Sequence, residues 1–191
     1  TLQSEVTTNR LQLRRRLFEA TSSGSSSEGR SAAIEMSHMQ ARALDILSSE
    51  ETQRAFRLSD ESASLRESYG RNIYGQSTLL ARRLIEAGTR VVTISWAPDA
   101  NATWDTHGGN FDKLKNTLLP QLDAACSSLI DDLSQRGMLD RTLVAVLGDF
   151  GRTPKVNGNQ GGRDHWNFCY SLMLVGGGFR RGLIYGSSDS T

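Results

Sequence analysis

The chain has 191 residues, enough for one domain with a buried core. It is 37% hydrophobic and 23% charged, ordinary globular values, and its net charge of +1 argues against a nucleic-acid or membrane-surface partner. No apolar run approaches the roughly 20 residues a membrane helix needs, and the polar start carries no export signal. The chain opens on Thr1 rather than Met and stops at Thr191 just after a strand-like segment, so a piece of a longer protein is expected.

Residues 1–20 read as a helix, with Leu2, Val6, Leu11, Leu13, Leu17 and Phe18 set among four arginines. That arginine run reads as a solvated face, since nothing else supports a nucleic-acid patch. Residues 21–31, rich in Ser and Gly, read as a flexible linker. A second helix is expected from Ala32 to Leu47, with Ile34, Met36, Met39, Ala43, Leu44 and Leu47 on its apolar side and His38 as an ordinary surface residue. Ser48 with Glu51 forms a capping-box pattern that opens a short helix burying Ala55 and Phe56. Another short helical piece follows from Ser59 and ends at Gly70.

Residues 74–87 carry Leu79, Leu80, Leu84 and Ile85 at helical spacing, with Arg82 and Arg83 on the polar side and Gly88 closing the helix. Arg90-Val-Val-Thr-Ile-Ser-Trp96 is rich in β-branched residues and reads as a strand. The stripe Phe111, Leu114, Leu118, Leu122, Ala125, Leu129, Leu133 marks a core-facing helix that Pro120 must kink or divide and Arg136-Gly137 ends. Leu143-Val-Ala-Val-Leu147 and Cys169-Tyr-Ser-Leu-Met-Leu-Val175 read as buried strands. Gly176-Gly-Gly178 is a turn, and Gly182–Gly186 an edge strand or extended segment. A strand, a crossover helix and a strand imply parallel pairing. The expected fold is therefore α/β, with 91–96, 142–147 and 170–175 in one parallel sheet. The expected division is a helical segment at 1–70 and an α/β core at 71–191. Cys126 and Cys169 have no metal spacing and read as buried thiols.

Two polar loops follow strand ends, where open α/β sheets place ligands. In Trp104-Asp-Thr-His-Gly-Gly109, Asp105 and His107 flank one residue and suit a divalent ion if the loop turns at its glycines. A turn with an Asx hydrogen bond is the other reading. The second loop runs Gly148-Asp-Phe-Gly-Arg-Thr-Pro154 and on to Gly161-Gly-Arg-Asp-His-Trp166. Its Asp149, Arg152, Arg163, Asp164 and His165 suit metal or oxyanion binding. Alternatively Asp149 caps a turn and the arginines are solvated.

The order of Tyr69-Gly70, Gly75-Gln76, Leu80-Ala-Arg-Arg-Leu-Ile-Glu-Ala-Gly88, Trp104-Asp-Thr-His107, Arg136-Gly137, the two halves of the second loop and Gly176-Gly-Gly178 resembles the bacterial family of unknown function numbered 1501. That family is similar to sulfatases and alkaline phosphatases, and its members often carry an export signal. The resemblance implies an alkaline-phosphatase-like, mostly parallel sheet flanked by helices, here an incomplete domain, and a periplasmic or exported parent. It implies metal ligands at Asp105, His107, Asp149 and His165, though Phe150 stands where a ligand histidine is usual and no nucleophile matches in residues 1–70. Two functions follow as expectations. One is a metal-dependent hydrolase of phosphate or sulfate esters, with zinc, calcium or manganese, a small-molecule or glycan ester substrate, and Arg152 and Arg163 clamping the oxyanion. The other is a non-catalytic binding protein of the cell envelope on the same scaffold. Oligomeric state is not readable from the sequence.

Overall fold

The computed structural model describes residues 10, 13, 14, 16, 17, 20, 30–96 and 104–189. Helices and two small antiparallel ladders make up the architecture, in two compact units that divide between Asp60 and Glu61. No helix among the described residues is long and apolar enough to cross a membrane.

In the first unit, the described residues between 10 and 20 are helical. Helix α1 (Arg30–Ser48) begins inside the expected linker, whose other residues, 21–29, lie outside the described ones. Ile34, Met36 and Met39 on α1 are all exposed. Helix α2 (Glu50–Phe56) is capped by Ser49, not Ser48: its hydroxyl accepts the Thr52 N–H at 3.4 Å. Ala55 is buried there, but Phe56 is exposed, against expectation.

The second unit holds α3 (Ala63–Ser68) and α4 (Ile73–Glu86). Ser62 caps the first and Asn72 the second, accepting the Tyr74 and Gly75 N–H groups at 3.0 and 2.9 Å. Helix α4 closes through Gly88 (φ +93°), whose left-handed backbone lets Gly88 N–H reach the Ile85 carbonyl and Thr89 N–H the Leu84 carbonyl. This is the closure that favours glycine. The Leu114–Leu133 stripe forms one helical run: α5 (Asn110–Lys113), a π turn at Leu114–Leu118, and α6 (Leu119–Gln135). Pro120 sits in the first turn of α6, where its missing N–H costs least, and the ladder changes register just before it. Helix α4 packs on α6, and Tyr69, Leu79, Leu118, Ala125, Leu133 and Met138 are buried. Phe111, assigned to the same stripe, is exposed.

Arg82 corrects the polar-side assignment: it is buried at 1% exposure. Its guanidinium meets Glu86 at 2.6 Å, Glu61 at 2.8 Å and Asp132 at 2.8 Å. Tyr69 donates its hydroxyl to Asp132 at 2.9 Å, and Arg136 reaches Asp132 and Glu86. Burial alone would raise the Glu61 carboxyl, and the Arg82 and Arg83 guanidinium groups beside it more than reverse that, leaving it lowered. A carboxylate whose folded pKa is depressed adds stability above its unfolded value, about 4.3. That contribution is lost as pH falls through the folded value. Glu61→Gln should therefore flatten the fall of urea midpoint below pH 4.3, relative to wild type, in a pH series of denaturation curves.

The sheet departs most from expectation. Strand β1 (Leu143–Val146) pairs antiparallel with β4 (Met173–Gly176), Leu143 opposite Gly176 and Val146 opposite Met173. The connection between them contains no helix. A parallel return needs a crossover, usually helical. Instead it folds as a second ladder, β2 (Gly151–Arg152) against β3 (His165–Trp166), also antiparallel. The strands are not buried: Leu143 and Leu147 are exposed, Val144 and Val146 half-buried, and Met173 and Leu174 exposed. Residues 91–96 form no strand, with Val92, Ile94 and Trp96 half-buried and the Trp96 ring stacked on Tyr74 at 4.5 Å. They join no ladder among the described residues. Residues 182–186 are exposed and form no strand: Gly182 lies in a turn, and Gly182 and Gly186 have positive φ.

Candidate metal centre

Backbone contacts bring the two polar loops together. Arg163 N–H donates to the Thr106 carbonyl at 3.1 Å, and Gly109 N–H to the Asn159 carbonyl at 3.2 Å. The Asn157 amide donates to the His107 carbonyl at 3.1 Å. Gly162 passes so close to His107 that a Cβ there would overlap the His107 carbonyl oxygen. Thr106 turns inward, 2% exposed, and donates its hydroxyl to the Asn110 side chain at 2.6 Å, itself 2% exposed. Asp105 and His107 flank Thr106, which anchors the loop. On the second loop, Arg152 and His165 sit opposite each other in the β2–β3 ladder.

Asp105, His107 and His165 converge, with one potential ligand atom from each lying within 4.8 Å of the others. His107 Nδ1 is in close contact with Asp105 Oδ1, and His165 Nε2 lies 3.5 Å from the same oxygen. The two imidazole rings are 4.5 Å apart, and Phe150 covers His165 from 4.2 Å. Arg152 Nη2 donates to Asp105 Oδ1 at 2.8 Å. Burial works to raise the Asp105 carboxyl, but Arg152 and then His107 hold it below the usual carboxylate range.

The other expected site residues lie elsewhere. Asp149 is exposed, is not in the cluster, and accepts the Phe150 N–H at 3.1 Å, the local turn contact that was its alternative reading. Arg163 donates to the Thr153 carbonyl at 2.6 Å and the Arg152 carbonyl at 3.4 Å, so it ties the loop to itself. Asp164 accepts the Asn157 amide at 2.9 Å. Neither cysteine is fully buried: Cys126 is half-buried, its thiol pushed up by burial with Asp123 adding to it, and Cys169 is exposed. Thr106, Asn110 and Asn157 position the site and were missed, because polar loop residues carry no periodic signal.

Two imidazoles and one carboxylate make a donor set that fits a divalent transition metal, with room for a non-protein ligand. The hydroxyls of the two loops are committed: Thr106 to Asn110, and Thr153 to the Lys155 carbonyl at 2.8 Å. A family model described as "Protein of unknown function (DUF1501)" matches residues 1–191. No curated protein and no solved structure matches the chain.

Proposed function

The chain belongs to the DUF1501 family, and we propose that it is a metal-dependent hydrolase-like protein acting on phosphate or sulfate esters. The observation that carries this reading is the convergence of Asp105, His107 and His165 on one point. These three residues would hold the cation. Among zinc, manganese and calcium, a set with two imidazoles favours zinc or manganese, since calcium prefers all-oxygen shells. A bound cation polarises an ester oxygen and lowers the pKa of a nucleophile. The likeness to sulfatases and alkaline phosphatases, and export to the cell envelope, belong to the same proposal.

On this reading Asp105 and His107 stand side by side as ligands, the Asp105 carboxylate in close contact with His107 Nδ1. Phe150 shields one face of His165 from water. A second reading, a non-catalytic binding protein of the envelope, is favoured by the committed hydroxyls of Thr106 and Thr153, which leave neither as a ready nucleophile.

The test combines metal analysis by mass spectrometry with assays on chromogenic phosphate and sulfate esters. Wild type should carry about one equivalent of zinc or manganese, consistent with a three-ligand site. His165→Ala should lose it. Asp149→Ala should keep it, since Asp149 lies outside the cluster. Turnover that requires the metal supports the hydrolase. Metal without turnover supports the binding protein. Wild type without metal after incubation with either ion rejects both.

A further inference from the structure

A guanidinium offers five N–H donors, two on each Nη and one on Nε. Arg152 spends its Nη donors inside the protein. Nη2 donates to Asp105 Oδ1 at 2.8 Å and to the Trp104 carbonyl at 3.1 Å. Nη1 donates to the Arg163 carbonyl at 3.1 Å and lies 3.5 Å from His107 Nδ1. The Arg152 side chain is 19% exposed, while the Asp105 side chain that it meets is 53% exposed. With both Nη groups engaged, no paired fork is left for an outside oxyanion, the role its position in the loop suggests. What the guanidinium does instead is place a full positive charge on the only carboxylate of the cluster.

We propose that Arg152 is a built-in competitor for the site: its guanidinium occupies Asp105 until a divalent cation displaces it, and the strength of that contact sets metal affinity. This rests on the metal reading above. Three nitrogens crowd Asp105 Oδ1: His107 Nδ1 in close contact, Arg152 Nη2 at 2.8 Å and His165 Nε2 at 3.5 Å. Of these, the two imidazoles can present a lone pair to a cation and the guanidinium cannot. It can only compete for the oxygen and repel the incoming charge. Displacement also frees the Nη2 N–H that Asp105 held, a donor that an oxyanion can then use, while the bonds to the Trp104 and Arg163 carbonyls stay. Metal loading and anion binding would then be coupled through one side chain.

The experiment is a zinc titration by calorimetry on wild type and Arg152→Gln, with circular dichroism to check the fold. Arg152→Gln should bind zinc about 10-fold more tightly or better, because a like charge beside the site is removed. Equal or weaker zinc binding by a folded Arg152→Gln would mean the guanidinium orients Asp105 for the metal, which overturns the competitor and leaves the metal reading standing. Absence of zinc binding by both proteins removes the metal reading and this proposal with it. Should Arg152→Gln fail to fold, wild type answers alone. Peptide-resolved modification by phenylglyoxal should speed up at Arg152 when zinc is added, with Arg163 as the internal reference. An unchanged or slower rate at Arg152 overturns the proposal.

Discussion

Arg82→Met should lower the unfolding free energy by about 3–5 kcal/mol, the usual cost of removing one partner from a buried ion cluster. The substitution keeps much of the side-chain volume, so the effect is electrostatic rather than a cavity. Glu61, Glu86 and Asp132 all converge on the Arg82 guanidinium, and Asp132 is itself only 6% exposed. Without Arg82, Asp132 keeps Arg136 and the Tyr69 hydroxyl but loses its shielded counter-charge. Tyr69 reports on this indirectly: burial, with the Asp132 charge beside it, pushes its phenol well up. The exposed pair Arg71–Glu67 is the contrast, at 42% and 71% side-chain exposure. Arg71→Met should cost well under about 1 kcal/mol. Urea denaturation of both variants checks the ranking. Equal losses would mean that burial does not amplify the Arg82 cluster. A double variant, Arg82→Met with Asp132→Asn, should recover part of the loss, because the stranded charge is then gone.

That buried arginine also marks where sequence reading reaches its limit. Helix ends were legible because their causes are local: a serine or asparagine oxygen two or three residues from the N–H it accepts, and a glycine where the backbone turns left-handed. Gly88 was read as such an end and is one, whereas Ser62 and Asn72 follow the same rules but were not read as caps. Arg82 follows no such rule, because the carboxylates that admit it to the interior include Glu61 and Asp132, 21 and 50 residues away in the chain. The strands show the same limit. β-branched residues at 91–96 and 143–146 favour extended backbone, but propensity says nothing of the partner. The pairing of β1 with β4 follows from a helix-free connection that folds back as a second ladder. In the candidate site, Asp105 and His107 were legible as a pair flanking one residue in a loop that turns at its glycines. His165 was legible as a polar residue of the second loop, but its place beside Asp105 and His107 came from the resemblance. Asp149 was placed with them, yet the Phe150 N–H holds its carboxylate locally.

Gly162→Ala should cost both stability and metal, and it tests whether the two loops form one unit. Gly162 needs its hydrogen for space rather than for backbone freedom, as its φ is not in the left-handed region. A methyl group there would overlap the His107 carbonyl and come within 2.8 Å of Asn157 Oδ1. The His107 carbonyl already accepts the Asn157 amide, and Thr106 one residue earlier accepts Arg163 N–H. Neither loop can therefore move aside without giving up hydrogen bonds, each worth about 0.5–1.5 kcal/mol net. Because Asp105 and His107 ride on one loop and His165 on the other, a shift of about 1 Å would also split the donor set, and site geometry of this kind tolerates about 0.5 Å. The expected result is a destabilisation of about 2 kcal/mol or more together with at least a 10-fold loss of zinc affinity. Gly158→Ala is the control, since nothing lies within 4 Å of a Cβ there and its φ is ordinary. It should stay within about 0.5 kcal/mol of wild type and bind zinc unchanged. A Gly162→Ala protein as stable as the control, with its zinc affinity intact, would show that the loops are not locked together at His107.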